Sequence, residues 1–106
     1  MSAPVRIAPL AAFSDGEGVR VDVGEHRVAM FRVGSDIYAI GDRCSHAEAS
    51  LAEGELFEFD VECPRHGSEF DIRTGLPGSF PATRPVPVYS VSVVDDEVFL
   101  EIGEAS

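Results

Sequence analysis

The sequence predicts an all-β protein, built as an antiparallel sandwich or barrel from short strands. Three observations support this fold class. Apolar and polar residues alternate in several short segments, glycine and aspartate turn signals separate those segments, and no segment has a convincing run with helical period. A length of 106 residues suggests one domain. The hydrophobic share of 44% and the charged share of 25% are ordinary for a globular chain.

Each predicted strand is a short segment bounded by turn residues. The segments, in chain order, are VRVDV (19–23), HRVAMFRV (26–33), DIYAI (36–40), LFEFDV (56–61), residues 86–94 and VFLEI (98–102). Gly24-Glu25, Gly34-Ser35 and Asp95-Asp96 are the predicted hairpin turns between neighbouring strands. In 56–61, apolar residues alternate with acidic ones. This pattern predicts one strand with Phe57, Phe59 and Val61 on a single face.

The middle of the chain differs from its two ends. Residues 45–56 have room for one turn of helix at most, and residues 75–87, with four prolines and two glycines, predict a long loop. Both cysteines and two of the three histidines fall within about 42–80. We therefore predict a single domain in which about 1–41 and 81–106 form a β base and about 42–80 is an inserted, site-bearing subdomain.

The charge of the chain restricts its partners. Eight basic residues face nineteen acidic ones, which gives a net charge of −11 and a pI near 4.4. Such a surface repels nucleic acid and anionic membranes and suits a basic protein partner, although acidity can also serve solubility alone. The sequence has no apolar stretch of about 18 residues and no signal-peptide pattern, so we expect a cytoplasmic protein with no nucleic-acid or membrane partner.

The candidate site is the motif Cys44-x-His46, followed after sixteen residues by Cys63-x-x-His66. Thiolate and neutral imidazole are both good ligands for iron and zinc. Four interpretations stay open on residue types and spacing. The residues could belong to two ordinary turns, form a disulfide or catalytic thiol, bind structural zinc, or hold a [2Fe-2S] cluster. The common zinc spacing puts both cysteines in one pair and both histidines in the other, unlike this motif.

The neighbours of these residues carry a resemblance to a known family. CSHAEASLAEGEL (44–56) and CPRHGSEFDIRTG (63–75) closely resemble the two cluster-binding boxes of Rieske proteins. The whole chain is similar to a Rieske-type [2Fe-2S] ferredoxin of a ring-hydroxylating oxygenase system. The resemblance implies one Rieske [2Fe-2S] cluster per chain, with Cys44 and Cys63 on the inner iron and His46 and His66 on the outer iron.

Three further residues match positions around the cluster in that family. Pro64 stiffens the turn between two ligands, and Gly67 allows backbone amides to approach the sulfurs. Ser68 matches a position whose hydroxyl can donate a hydrogen bond to a cluster sulfur, which raises the reduction potential. The loop 78–87 corresponds to a proline-containing segment that shields the site. The remaining histidine, His26, is predicted to be an exposed strand residue.

Two departures from high-potential relatives predict a low potential. The Rieske subunits of cytochrome bc complexes carry an additional disulfide pair and a tyrosine where this chain has Phe70. We therefore expect a midpoint in the lower part of the Rieske range of about −150 to +300 mV. Potentiometry giving a value above roughly +100 mV would contradict this expectation.

The resemblance implies an electron carrier and not an enzyme. The chain would act as a monomer in aromatic hydrocarbon catabolism. It would take electrons from an NAD(P)H-dependent flavin reductase and pass them to a terminal Rieske oxygenase. Two alternatives are the small Rieske subunit of another oxidoreductase such as nitrite reductase, and, in a different class, a structural zinc module that holds a partner. The substrate of the oxygenase is not encoded in this sequence.

Overall fold

The computed structural model describes residues 4–43, 49–64, 68–78 and 85–102. Within these ranges the regular structure is strand, with no α-helix, which confirms the all-β prediction. Two 3₁₀ turns lie at Leu10–Ala12 and Leu51–Glu53. The strands are β1 (Pro4–Pro9), β2 (Gly18–Val23), β3 (His26–Val33), β4 (Asp36–Gly41), β5 (Leu56–Phe57), β6 (Asp60–Glu62), β7 (Glu69–Asp71), β8 (Val88–Val94) and β9 (Glu97–Glu101).

Two antiparallel sheets hold these strands. Six form one sheet in the order β1-β9-β8-β4-β3-β2, and β5, β6 and β7 form a small three-stranded sheet. All three strands of the small sheet fall between β4 and β8 along the chain. No helix in the described ranges is long and apolar enough to cross a membrane.

The predicted hairpin turns are confirmed by their backbone angles. Gly24 and Gly34 have φ values of +60° and +65°, and Asp95 and Asp96 have φ values of +51° and +62°. Two-residue turns between antiparallel strands require this left-handed conformation, which glycine and aspartate tolerate better than most residues. Each turn therefore fixes the register of its hairpin, with Val33 opposite Asp36 and Val94 opposite Glu97.

Strand β3, second from one edge of the large sheet, is buried on both faces along its middle. Val28 and Met30 belong to one hydrophobic cluster, together with Val98 and Leu100 of β9. Ala29 and Phe31, on the opposite face, belong to a second cluster. The other buried members of that second cluster are Ile40, Leu51, Val61, Cys63, Phe70, Ile72 and Val86. The six-stranded sheet therefore packs its second face against residues of the β5–β7 region.

The prediction of one strand over 56–61 is wrong. The chain turns at Glu58 and Phe59, so that Leu56 pairs with Val61 and Phe57 pairs with Asp60. Glu58 has a φ of +58°, which the two-residue turn imposes on it. The alternation of apolar and acidic residues is the same for a straight strand and for this tight hairpin. Phe57 is consequently 51% exposed and does not share a buried face with its neighbours.

Two strands have no clear signal in the sequence. β1 begins and ends with proline and pairs only with β9, as an edge strand that tolerates proline can do. β7 is three residues long and pairs with β6. The described part of 45–56 contains one 3₁₀ turn, Leu51–Glu53, within the predicted limit of one helical turn. In the predicted loop 75–87, residues 79–84 lie outside the described ranges.

Candidate metal centre

The structure describes three of the seven predicted site residues. Cys63 is 1% exposed and Ser68 is fully buried, while Pro64 between them is exposed. Cys63 is a free thiol, which argues against a disulfide. The other four predicted residues lie outside the described ranges, and they are Cys44, His46, His66 and Gly67.

Backbone hydrogen bonds join the residues on the two sides of the segment that carries His66, and we call this a closure of the segment. Glu62 pairs with Glu69 across β6 and β7, and the backbone amide of Cys63 donates a hydrogen bond of 2.6 Å to the carbonyl oxygen of Ser68. Residues 64–67 therefore connect two paired strands. The Cys63 side chain enters the second hydrophobic cluster next to Phe70 and Val61. Water is thus excluded from the thiol at the point where the connection begins.

The segment that carries Cys44 and His46 is closed in a similar way. Arg43 and Ser50 form an isolated antiparallel bridge, and the amide of Leu51 donates a 2.7 Å hydrogen bond to the carbonyl oxygen of Asp42. The Asp42 carboxylate is fully buried and accepts hydrogen bonds from the Ser50 hydroxyl at 2.7 Å and the Ala52 amide at 2.9 Å. Sequence reasoning did not single out Asp42. Its one signal is a charged residue directly after an apolar strand.

The proposed shielding loop is the third segment closed at its base. The amide of Gly78 donates a 2.7 Å hydrogen bond to the carbonyl oxygen of Glu69, and the amide of Val86 donates one of 2.9 Å to the carbonyl oxygen of Gly75. Pro77 also forms an isolated bridge with Phe70. The two ends of this segment are therefore held beside β7, which begins one residue after Ser68.

The first two closures lie side by side. The amide of Glu62 donates a 2.8 Å hydrogen bond to the carbonyl oxygen of Glu55, which brings the chain after Ser50 next to β6. A Cβ on Gly54 would lie 1.9 Å from the Glu62 carbonyl oxygen, so only glycine permits this approach. Leu51 and Cys63 also belong to the same hydrophobic cluster. The chain next to both predicted ligand segments therefore packs into one buried cluster.

An aromatic contact joins the β5–β6 turn to the six-stranded sheet. Phe59 meets Tyr38 of β4 edge to face, with ring centroids 5.8 Å apart, and the Arg73 guanidinium lies 4.2 Å from the centre of the Phe59 ring. Arg73 also donates a 2.8 Å hydrogen bond to the carboxylate of Asp71. That hydrogen bond lowers the pKa of Asp71 below its ordinary value. The contact fixes the far end of the small sheet relative to the large one.

The third histidine lies apart from the motif residues that the structure describes. His26 is in a strand as predicted, but it is half-buried rather than exposed, and its Nδ1 is 3.3 Å from the Tyr89 hydroxyl oxygen. Burial raises the pKa of Tyr89 above its ordinary value. Nothing in these contacts suggests a ligand role for His26.

The donor set of the motif fits an iron–sulfur cluster. Within the described ranges, no three histidine, cysteine, aspartate or glutamate side chains are placed to hold a metal ion. A metal centre that uses Cys63 would therefore take at least one ligand from outside the described ranges. The segments 44–48 and 65–67 contain Cys44, His46 and His66, which together with Cys63 make two thiols and two imidazoles. The Cys63 thiol is buried, as a thiolate that holds a cluster away from water would be, and the buried Ser68 residue lies next to it through the backbone.

Known proteins give three close comparisons. The model of the Rieske [2Fe-2S] domain matches residues 3–90. The 3-phenylpropionate/cinnamic acid dioxygenase ferredoxin subunit of Shigella boydii is 42% identical over 98 residues, which cover 92% of each chain. The ferredoxin of carbazole 1,9a-dioxygenase from Nocardioides aromaticivorans IC177 superposes with a TM-score of 0.89 at 39% identity, covering 92% of this chain and 96% of that one.

One further solved structure contains a partner. It is a complex of reduced oxygenase and oxidized ferredoxin in carbazole 1,9a-dioxygenase. The matching chain has a TM-score of 0.87 and 38% identity, and the match covers 92% of both chains.

Proposed function

The chain belongs to the Rieske [2Fe-2S] domain family and has a Rieske [2Fe-2S] cluster as its cofactor. From this membership we propose that it carries single electrons from an NAD(P)H-dependent flavin reductase to a terminal Rieske oxygenase. When bound, the cluster accepts and releases one electron. The chain is an electron-transfer component and not itself an enzyme. The related proteins are ferredoxins at 38–42% identity, which favours this role over the small subunit of a nitrite reductase. Because the cofactor is an iron–sulfur cluster, the alternative of a structural zinc module is excluded.

We propose four ligands from the motif. Cys44 and Cys63 would hold the inner iron, and His46 and His66 the outer iron. The observation that carries this assignment is the burial of the Cys63 thiol at a closed hairpin end, next to the chain that leads out of the Cys44 and His46 segment. A thiolate at the position of Cys63 is shielded from water, whereas the next residue, Pro64, is exposed.

The residues around the ligands would adjust the geometry and potential of the cluster. Pro64 follows Cys63 directly and limits the backbone of the connection through its fixed φ. Gly67 would let amides approach the sulfurs. Ser68 is fully buried beside Cys63, where a hydroxyl can reach a cluster sulfur and stabilise the reduced state.

We further propose that about 42–80 is a cluster-binding subdomain inserted in a base formed by about 1–41 and 81–106. Three features support this division. The small sheet falls wholly between β4 and β8, the Asp42 closure lies at the start of the insert, and the Gly75–Val86 hydrogen bond lies near its end. The two parts share one hydrophobic cluster and would unfold together.

The partners of the chain, its oligomeric state and its cellular compartment are also proposals. The solved complex pairs a related ferredoxin with its oxygenase, and the flavin reductase follows from the family resemblance. We propose a monomer that works in the cytoplasm. Because the chain has a net charge of −11, its docking onto a basic face of a partner would be fast at low salt and slower at high salt.

Anaerobic stopped-flow mixing tests the carrier role. The reduced chain is mixed with the oxidised terminal oxygenase of a related ferredoxin system, and the bleaching of the oxygenase cluster is followed at increasing salt. We expect one electron transferred per chain and a rate that falls with ionic strength. Reduction that stays absent at every salt concentration would contradict the carrier role. A rate independent of salt would contradict only the electrostatic docking.

Histidine replacement tests the ligands with an internal control. His66→Cys and His46→Cys should each lose the cluster or shift its visible spectrum towards that of an all-cysteine cluster. His26→Cys, at the half-buried histidine of β3, should leave the spectrum unchanged. An unchanged spectrum in His66→Cys or His46→Cys would remove that residue from the ligand set.

A further inference from the structure

Asp42 is a buried charged side chain with no direct place in the ligand motif. It and Ser68 are the two buried polar residues among those that the structure describes, and both are fully inaccessible. A buried carboxylate is costly to desolvate, and replacing such a group with apolar residues often leaves stability unchanged. Its presence therefore calls for a role other than general stability.

The contacts of Asp42 join three parts of the fold. Its Oδ1 accepts hydrogen bonds from the Ser50 hydroxyl and the Ala52 amide, at 2.7 Å and 2.9 Å. Its Oδ2 lies 3.4 Å from Nη2 of Arg27 on β3 and 4.0 Å from Nε of Arg20 on β2. One side chain thus connects the six-stranded sheet to the 3₁₀ turn that follows the proposed ligand segment.

The backbone of Asp42 makes the same connection. Its amide donates a 3.0 Å hydrogen bond to the carbonyl oxygen of Arg27, and its carbonyl oxygen accepts one of 2.7 Å from Leu51. The residues between the two sides of this closure include Cys44 and His46. Asp42 is two residues before Cys44, and Ser50 is four residues after His46.

We propose that Asp42 is a positioning residue for the cluster, which holds the two ends of the 43–50 segment together through its Oδ1 and so keeps Cys44 and His46 at the iron. This inference rests on the proposed ligand assignment. The two arginines supply a counter-charge, but their side chains are 42% and 46% exposed and can be hydrated without Asp42. The hydrogen bonds to Ser50 and Ala52 are therefore the essential contacts.

The test compares cluster retention in four variants of the full chain carrying its cluster. Asp42→Ala removes every side-chain contact, Asp42→Asn keeps an oxygen acceptor for Ser50 and Ala52, and Ser50→Ala removes one hydrogen bond. Asp15→Ala is the matched control, because the Asp15 carboxylate accepts a 2.9 Å hydrogen bond from the Gly34 amide in a different loop closure. Iron per chain, the bleaching rate in excess chelator and the paramagnetic resonance spectrum of the reduced protein are measured.

We expect Asp42→Ala to lose its cluster about tenfold faster than the parent protein, as for other residues that orient metal ligands. The cluster that remains should show altered g values, which a purely structural role would not produce. Asp42→Asn should restore both properties. Ser50→Ala should lose the cluster about fivefold faster, because it removes one of the two hydrogen bonds to Oδ1. Asp15→Ala should match the parent.

The inference is overturned if Asp42→Ala retains its cluster with the parent rate and g values, or if Asp42→Asn behaves like Asp42→Ala. Should Asp42→Ala not fold, Ser50→Ala decides, and a parent-like rate there overturns the inference. Failure of the ligand assignment is distinct. It would appear as a Cys44→Ser or His46→Cys variant with the parent spectrum, whatever the behaviour of Asp42.

Discussion

The amide of Cys63 donates a hydrogen bond to the carbonyl oxygen of Ser68 across 2.6 Å. Both residues are buried, one with a thiol side chain and the other with a hydroxyl. The hydrogen bond between them is made entirely by the backbone. The Cys63–Ser68 hydrogen bond therefore does not use the Ser68 hydroxyl. That separation of roles makes it possible to change the hydroxyl without opening the hairpin end.

Ser68→Ala should lower the midpoint potential while the cluster stays bound. If the hydroxyl donates to a cluster sulfur, its loss removes a hydrogen bond of about 1 kcal/mol, equivalent to about 40 mV for a one-electron couple. Redox potentiometry of the variant measures the shift. Ser92→Ala, on an exposed position of β8, serves as the control and should leave the potential unchanged. A Ser68→Ala midpoint equal to that of the parent would exclude the hydrogen bond.

Phe57 and Phe59 should differ in their contribution to stability, although they are two residues apart. Phe59→Ala loses the edge-to-face contact with Tyr38 and the contact of the Arg73 guanidinium with the ring. We expect the free energy of unfolding to fall by about 2 kcal/mol, less than for a fully buried phenylalanine. Phe57 is 51% exposed, so Phe57→Ala should change stability by no more than about 0.5 kcal/mol. Urea unfolding measures both. Equal losses would contradict the tight turn at Glu58.

Gly75→Ala should be far more disruptive than Gly16→Ala. Both glycines have a positive φ, +75° and +81°, which costs an alanine about 1 kcal/mol or more. At Gly75 the new Cβ would also lie 2.2 Å from the carbonyl oxygen of Val86, whereas at Gly16 it meets no atom within 4 Å. We expect a loss of about 3 kcal/mol for Gly75→Ala and about 1 kcal/mol for Gly16→Ala. Thermal unfolding measures both losses of stability. Equal losses for the two variants would contradict the close approach of Gly75 to the carbonyl oxygen of Val86.

Tyr89 should titrate above its ordinary value of 10.0, because burial disfavours the phenolate. Since the folded pKa is the higher one, the stability that Tyr89 contributes is present below about pH 10 and is lost as the pH rises through the folded pKa. The ultraviolet difference titration of the parent against Tyr89→Phe isolates this hydroxyl. A difference midpoint at or below 10 would contradict its burial beside His26.

Local signals in the sequence predicted most of the large sheet correctly. Glycine or paired aspartates at the turns fix the hairpins, because their backbone tolerates a positive φ. The same logic failed at Glu58, where an ordinary residue takes a φ of +58°. There the pairing of Leu56 with Val61 and the packing of Phe59 on Tyr38 impose the turn, and both are tertiary contacts.

The residue types of the proposed site stand in the sequence, whereas the contacts that support it do not. The motif carries the chemistry of the cluster within a few residues, so its residue types suffice to suggest a metal. The partners of Asp42 come from fifteen residues earlier and from eight and ten residues later in the chain. Only the pairing of β3 with β4 and the position of the 3₁₀ turn bring them together. The edge strand β1 was missed for the same reason, because its partner β9 lies at the other end of the chain.

Electron paramagnetic resonance of the chemically reduced parent protein tests the central claim most directly. An all-cysteine [2Fe-2S] ferredoxin, measured under the same conditions, provides the reference. Ligation by His46 and His66 predicts a mean g value clearly below that reference, because two imidazoles replace two thiolates on one iron. A mean g value equal to that of the all-cysteine protein would contradict histidine ligation, and with it the proposed centre.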